Sequence, residues 1–509
     1  MSTRPPNEIV ETARQASYRG TVMRGSFHTA LSQVVTVGCQ IGSVLILSRL
    51  LTARDFGLIA MIGPIIAFLS MFKEMGLLQA VIQKRDLTYG QLNALFWINI
   101  GVSLLLTVLL VAKAPMIAAF FNEPDLTWLV RVMALNMLLT ALGAQHFALL
   151  NRHMMFGRIA VNAGAVAVCT LAVAIAWGMV APSPWALVAG SFAGSILGCA
   201  LVWIWVPWRP GRPALAPGTG DLIGFGAGVT TFKMANFLSR NLDTILIGRV
   251  WGGTALGYYD RAYKLLLFPL NRVAQPMSQV MVPVLSRMQD EPQRYAHAFF
   301  RVFGLMQLAI LPGVAALTAM ADTAVPFLLG EQWAAAAPIF AALGIAGLVQ
   351  PVGNPTGWLF ISQGRTTEMA WWGLASALIT CAAFAWGVRH GVIEMAMAYA
   401  AVSVLKLGPI WWLICRKGPI APARILDRVI PVVVAGFATF GTMTLVQASL
   451  PGPALVRLLT GVLLAYALFA AVFALSGYGR QVLLDMRDLA ATGVGQVQAW
   501  QSRLARGEG

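Results

Sequence analysis

From Leu45 to Gly57 the chain reads LILSRLLTARDFG, and from Ile245 to Gly257 it reads ILIGRVWGGTALG. Each copy closes an apolar run on an arginine, Arg49 or Arg249, and places a glycine eight residues further on. The same offset, without gaps, aligns Gln33 with Lys233, Thr36 with Asn236, Gln40 with Arg240 and Ser43 with Asp243. Spacings of three, four and three residues put each set on one face of a helix. A chain that repeats a polar-striped apolar helix has two similar halves, the arrangement of transporters built from internal repeats. The stripe is neutral in the first copy and charged in the second.

Composition fixes the medium. Hydrophobic residues make up 58% of the 509 and charged residues only 11%, against about a quarter charged in soluble domains. This is the composition of an all-α polytopic membrane protein. The five cysteines (Cys39, Cys169, Cys199, Cys381, Cys415) lie singly in or beside apolar segments, which suggests neither a disulfide framework nor a metal site. Residues 1–25 carry Arg4, Arg14, Arg19 and Arg24 with no apolar core among them. They read as a cytoplasmic arm and not as a cleaved signal peptide.

A spanning helix needs roughly 20 mainly apolar residues. Fourteen such segments begin near residues 26, 56, 92, 127, 159, 184, 222, 257, 298, 333, 367, 393, 427 and 454. Of 36 Lys and Arg, the loops on the N-terminal side of the membrane hold 21, and those opposite hold Arg49, Arg54, Lys113, Arg249 and Arg389. The positive-inside rule therefore places both termini in the cytoplasm, and most of the net charge of +16 follows from topology and not from nucleic-acid binding. The repeat divides the chain into an N-lobe of six helices (26–206), a Pro/Gly-rich cytoplasmic loop (207–221) and a C-lobe of six helices (222–414). Two extra helices (427–476) and a cytoplasmic tail (477–509) follow, and in the tail Leu483, Leu484, Met486 and Leu489 among charges predict a short amphipathic surface helix. An even number of helices per lobe gives the lobes a shared orientation.

Charge within a span costs about 2.5–3.5 kcal/mol per residue, so it faces a cavity or a partner. The seventh segment carries Lys233, Asn236, Arg240 and Asp243 within about 80° of one face, and the eighth carries Asp260, Lys264, Asn271, Gln275 and Ser278 within about 60°. Pro269 and Pro276 inside the eighth should bend it. With Gln33, Thr36 and Gln40 of the first segment, these stripes predict a polar cleft between the lobes. The alternative is that Arg240–Asp243 and Asp260–Lys264 neutralise one another within their helices. Against it, Lys233, Arg240, Lys264 and Arg272 exceed Asp243 and Asp260 by two charges, a balance that suits an anionic, phosphate-bearing substrate. The candidate binding residues are thus Lys233, Asn236, Arg240, Lys264, Asn271, Arg272, Gln275, Gln33 and Gln40. Asp243, Asp260 and Glu74, the last beside Lys73, are the candidates for a coupling ion. Arg131 and Lys406 read as snorkelling to interfaces, and the histidines have no ligand spacing. No loop for ATP and no H-E-x-x-H motif is present, so neither cofactor, metal nor enzymatic activity is expected.

Two stretches, SRLLTARDFGLIAM (48–61) and KEMGLLQAVIQKRDLT (73–88), resemble the N-terminal signature of the Wzx-type polysaccharide repeat-unit flippases. These belong to the multidrug/oligosaccharidyl-lipid/polysaccharide exporter superfamily. LDTILIGRVWGGTALGYYDRAYKLLLFPLNRVAQPMSQVMVPVLSRMQDEP (242–292) resembles the central signature of the same family, and GEQWAAAAPIF (330–340) and the Gln363-Gly364-Arg365 turn resemble its later pattern. The resemblance covers residues 24 to 420. It implies two six-helix lobes around a central cavity, in the bacterial inner membrane, moving undecaprenyl-diphosphate-linked oligosaccharides by alternating access. Lys233, Arg240 and Lys264 best match a diphosphate-holding role. The expected partners are the lipid-linked oligosaccharide and membrane lipids, with a monomeric protein and no nucleic acid. Polysaccharide polymerase and export machinery are candidate partners, and the sequence leaves open whether the transporter acts alone or beside a polymerase. A cation-coupled multidrug exporter of the same superfamily is the alternative, disfavoured by the surplus of Lys and Arg. A membrane polymerase or ligase of the same pathway is a third reading, disfavoured by short external loops.

Overall fold

A segment in lipid must pair every backbone N–H and C=O within itself, and among the described residues the chain does so with helices alone. The computed structural model of the protein describes residues 31–74, 81, 88–214 and 219–488, side chains excepted at 73–74, 219–236, 238–240 and 271. In chain order the helices are α1 (Leu31–Leu50), α2 (Ala53–Glu74), α3 (Tyr89–Phe121), α4 (Leu126–Arg152), α5 (Phe156–Val180), α6 (Trp185–Trp205), α7 (Thr219–Ser286) and α8 (Pro292–Ala319). There follow α9 (Ala321–Leu329), α10 (Ala337–Gly353), α11 (Thr356–Ser362), α12 (Thr366–Gly387), α13 (Val392–Lys417), α14 (Pro422–Val446), α15 (Ala454–Ala474) and α16 (477–488).

Twelve stretches among the described residues are long and apolar enough to cross a membrane, six before α7 and six after it. They take the places of the first six and the last six predicted segments, and the protein is a multi-pass membrane protein. The remaining two predicted segments fall on α7, which is two helices joined at Gly252 (φ 77°, ψ −176°). That left-handed backbone is open to glycine and strained for other residues. Within α7 the non-helical dihedrals fall at Gly252. The break in α7 is at this glycine, and Pro269 and Pro276 lie within the second arm, where helical dihedrals continue.

The chain divides into two units, Met1–Asp260 and Arg261–Gly509. In the first, α2 and the second arm of α7 meet through the repeated sequence. A Cβ built on Gly57 would sit 1.7 Å from the carbonyl oxygen of Gly253, and one built on Gly257 would sit 1.7 Å from that of Ala53. Ala53-x-x-x-Gly57 crosses Gly253-x-x-x-Gly257, small residues at a spacing of four that let backbones touch. This crossing draws the first arm of α7 into the unit with α1–α6. Thr52 starts α2 by accepting from the Asp55 N–H at 3.3 Å, while the Asp55 carboxylate accepts from the Thr52 N–H at 2.8 Å. That reciprocal cap occupies two N–H groups the helix leaves unpaired.

The first part of the predicted inter-lobe loop is tied down to the same unit. Tyr89 donates to the Arg209 carbonyl at 2.7 Å, and Trp97 to the Gly211 carbonyl at 2.8 Å. Asn93 brackets the turn, donating to Arg212 O and accepting from Gly211 N.

In the second unit α8 and the stretch Glu331–Ser362 are the most enclosed of the spans. Phe299, Phe303, Trp358 and Trp411 pack edge-to-face and stacked around them. The Gln363-Gly364-Arg365 turn has a structural purpose. Gly364 takes φ 69°, and Arg365 donates to the carbonyls of Leu413 and Ile414 at 2.7 and 3.1 Å. Those carbonyls lie in the last turn of α13, where Ile414 also accepts from the Gly418 N–H at 3.1 Å, so the guanidinium adds a cationic donor at the negative end of the helix. Lys406 does not snorkel. It lies midway along α13 and donates to Thr380 of α12 at 2.8 Å.

Replacing Gly57 or Gly257 by alanine forces a methyl into a backbone carbonyl. We expect a loss of about 1–3 kcal/mol or more, read as a lower melting temperature in detergent. Gly63→Ala, where a Cβ meets nothing within 4 Å, should leave the melting temperature unchanged.

Candidate functional site

The sequence stripes predict one polar face from α1 and the two arms of α7, and the structure places these residues unevenly. On α1, Gln33 and Gln40 are exposed and Thr36 is half-buried. The side chains of Lys233, Asn236, Arg240, Asn271 and Glu74 lie outside the described residues. Their backbones fall on helices α7 and α2.

The second arm of α7 has two distinct faces. Ala262, Leu266 and Leu270 are buried, and Leu266 packs against Gly347 of α10. Two residues on from Leu266 is about 200° round the helix, and Lys264 and Gln275 there are exposed while Asp260 and Arg272 are half-buried. Arg272 holds its guanidinium 5.4 Å from the Phe268 ring, a cation–π placement that keeps the charge beside an apolar surface. An open edge carrying a lysine and an amide, flanked by the half-buried Asp260 and Arg272 and backed by apolar residues, is what a helix bordering a polar volume presents.

Asp243 lies elsewhere. It is 5% exposed and accepts from the Tyr259 hydroxyl at 2.9 Å, the Thr244 N–H at 2.8 Å and the Thr244 hydroxyl at 3.4 Å. Tyr259, itself buried, stands on the second arm of α7. The carboxylate thus braces the two arms across the Gly252 joint. A buried carboxylate is tolerated when its lone pairs are occupied in this way.

A second charged cluster escaped the sequence reading. Arg54, at the start of α2, pairs with Glu123 at 2.7 Å and Asp125 at 2.9 Å, and Glu123 also accepts from the Gly253 N–H at 3.3 Å. Beside it Asn122, in the left-handed conformation (φ 56°), accepts from Arg249 at 2.7 Å with its amide oriented to donate to Ala119. The signal was present: Arg54 and Arg249 are two of the five basic residues assigned to the sparsely charged side. The α3–α4 turn supplies the acids and lies far from both in sequence, which hid the pairing.

Comparison with known proteins bears on these features. Residues 46–338 match a family described as polysaccharide biosynthesis protein. The chain is 25% identical over 357 residues to the lipopolysaccharide biosynthesis protein WzxC of Escherichia coli (strain K12), covering 69% of this chain and 71% of that protein. It is 28% identical over 391 residues to the teichuronic acid biosynthesis protein TuaB of Bacillus subtilis (strain 168), covering 76% and 80%. The succinoglycan biosynthesis transport protein ExoT of Rhizobium meliloti (strain 1021) is 26% identical over 400 residues, covering 77% and 80%. Among solved structures, the lipid II flippase MurJ in an inward closed conformation superposes with a TM-score of 0.68 at 12% identity, covering 89% of this chain and 99% of that one. An inward-facing multidrug resistance MATE family transporter of the MOP superfamily gives 0.58 at 11%, covering 75% and 96%. At these identities the two structures establish the fold alone.

Tyr259→Phe removes the hydroxyl that Asp243 accepts from, and should cost about 1–3 kcal/mol. The check is thermal melting of the detergent-solubilised protein beside wild type. An unchanged melting temperature would dismiss Asp243 as a brace.

Proposed function

The chain belongs to the polysaccharide biosynthesis protein family, and on that premise we propose that it is a flippase for undecaprenyl-diphosphate-linked oligosaccharide repeat units. It moves them across the bacterial inner membrane by alternating access, for exopolysaccharide or lipopolysaccharide assembly. The observation that carries this reading is the two-faced second arm of α7. Lys264 and Gln275 are exposed opposite a buried Ala262–Leu266–Leu270 back, in a chain where charge is scarce.

A diphosphate is the anion such an edge suits. Ammonium and guanidinium groups bind phosphate oxygens by charge-assisted hydrogen bonds, and those bonds strengthen where the surroundings exclude water. In this reading Lys233, Arg240 and Lys264 hold the diphosphate. Asn236, Asn271, Arg272 and Gln275 complete the contacts, and Gln33 and Gln40 line the neutral side. The six-helix lobes 26–206 and 222–414 supply the two moving bodies. Asp260 and Glu74 remain the carboxylates proposed for ion coupling, with Asp243 beside them from the sequence and a bracing role from its contacts. The relatives named for lipopolysaccharide, teichuronic acid and succinoglycan synthesis, and the lipid II flippase of like fold, support the substrate class.

The excess of Lys and Arg on one side of the spans supports cytoplasmic termini. Reporter fusions should be cytoplasmic-active after residue 509 and externally active after Arg389, and the reverse pattern would overturn the orientation.

Lys264→Ala, Lys233→Ala and Arg240→Ala, assayed for export at matched protein levels, should each reduce flux by about tenfold or more, as expected for loss of one charge-assisted contact. Lipid-linked repeat units should then accumulate on the cytoplasmic leaflet. Full activity in all three variants would refute the cationic diphosphate site.

A further inference from the structure

The amphipathic tail predicted from the sequence forms α16, and it closes a cavity of about 230 Å³ against the starts of α8 and α14. All three elements belong to the second unit. His297 and Arg301 enter from α8, Arg424 and Arg428 from α14, and Gln481 and Asp485 from α16. Phe300 and Tyr478 give the cavity an apolar aromatic wall.

The charge balance is positive. Three guanidinium groups line the cavity with one carboxylate, and that carboxylate, Asp485, is engaged by Arg301 at 3.1 Å. Arg428 lies with its guanidinium 4.6 Å from the Tyr478 ring and gives one N–H to Gln481 at 3.1 Å, out of the five a guanidinium carries. Among the described residues the Arg424 side chain makes no hydrogen bond or ion pair. Guanidinium forks match the oxygens of a carboxylate or a phosphate in bidentate pairs, and a phosphate is the one that a lipid surface supplies.

The position of the cavity narrows the source of that phosphate. Tyr478 is buried and donates its hydroxyl to the Phe300 carbonyl at 2.6 Å, which pins α16 to α8. Burial pushes its phenol pKa well above the ordinary range, so it stays a donor. Leu484 and Met486 on α16, and Leu426 and Ile430 on α14, are nevertheless exposed. In a multi-pass membrane protein, exposed apolar side chains on a short amphipathic helix enter the acyl region, and its polar side lies at headgroup depth. A basic pocket at that depth between spans is suited to an anionic lipid headgroup.

We infer that the α8–α14–α16 cavity binds the phosphate group of an anionic phospholipid, with Arg424 and Arg428 as its principal ligands. The site is separate from the transport residues on α7. Its occupancy does not depend on the flippase reading, and the proposed orientation decides only that the lipid comes from the cytoplasmic leaflet. A bound headgroup would join α16 to α14 by charge, adding to the single Arg428–Gln481 hydrogen bond now seen there.

The test uses the full-length protein in mild detergent, exposed to phosphatidylglycerol, phosphatidylcholine or inorganic phosphate. Native mass spectrometry should show phosphatidylglycerol retained in preference to phosphatidylcholine. Arg424→Gln, at an exposed position, should weaken that retention by about tenfold, and Arg424→Gln with Arg428→Gln should abolish it, since a hydrogen bond to a charged group is worth about 1.5–3 kcal/mol. Arg389→Gln, outside the cavity, should match wild type. Stabilisation by inorganic phosphate in wild type, lost in Arg424→Gln, would support the phosphate site and identify a soluble source. Equal lipid retention and equal phosphate response in wild type and the double variant would overturn the proposal.

Discussion

The backbone contact between Ala53-x-x-x-Gly57 and Gly253-x-x-x-Gly257 underlies much of the first unit. Each glycine lies where an added methyl would occupy the opposite carbonyl oxygen. Lipid gives helices no hydrophobic reason to associate, since lipid tails are as apolar as leucine. Contact at backbone distance supplies dispersion attraction instead. The neighbouring polar pairs follow from that approach. Only because α7 is drawn against α2 does the Gly253 N–H reach Glu123, which Arg54 also holds. The Gly252 joint then sends the chain back, and Asp243 meets Tyr259 across it.

Much of this was legible in the sequence because the medium imposes a simple rule. A span must be helical and about 20 residues long, so apolar runs translate into helices with little competition from other structure. The repeat was equally visible, although the contact its glycines make came only from the structure. A proline removes one backbone hydrogen bond without obliging the helix to break, and Pro269 and Pro276 stay inside the second arm of α7. Gly252, one of two adjacent glycines in the repeat, took the turn. Lys406 misled because snorkelling assumes that water is the nearest polar partner, whereas Thr380 on the next helix is nearer.

Site residues were legible to a lesser degree. Position round the helix depends only on local geometry, and it sets the exposed Lys264 and Gln275 opposite the buried Leu266 and Leu270. Spacing gave no sign that Asp243 is buried, because burial depends on what arrives from elsewhere in the chain. Tyr259 is sixteen residues away along a kinked helix. The Arg54–Glu123–Asp125 cluster and the cavity beneath α16 have the same character. Each assembles charges from elements distant in sequence, and spacing alone carries no record of them.

The glycine crossing also has a symmetry of its own. Gly57 touches Gly253 and Gly257 touches Ala53, so each position meets the counterpart of the residue four before it, in both directions. That reciprocity, in which residue i contacts j and the equivalent of j contacts the equivalent of i, is the mark of an isologous interface between two identical subunits. Here both sides of it lie on one polypeptide. The contact has the form of a two-fold dimer seam retained within a single chain. Its two faces hold small residues where the backbones touch, Gly57 matching Gly257 and Ala53 standing opposite Gly253 in the repeat. The glycines stayed alike while the stripes beside them became neutral on one side and charged on the other.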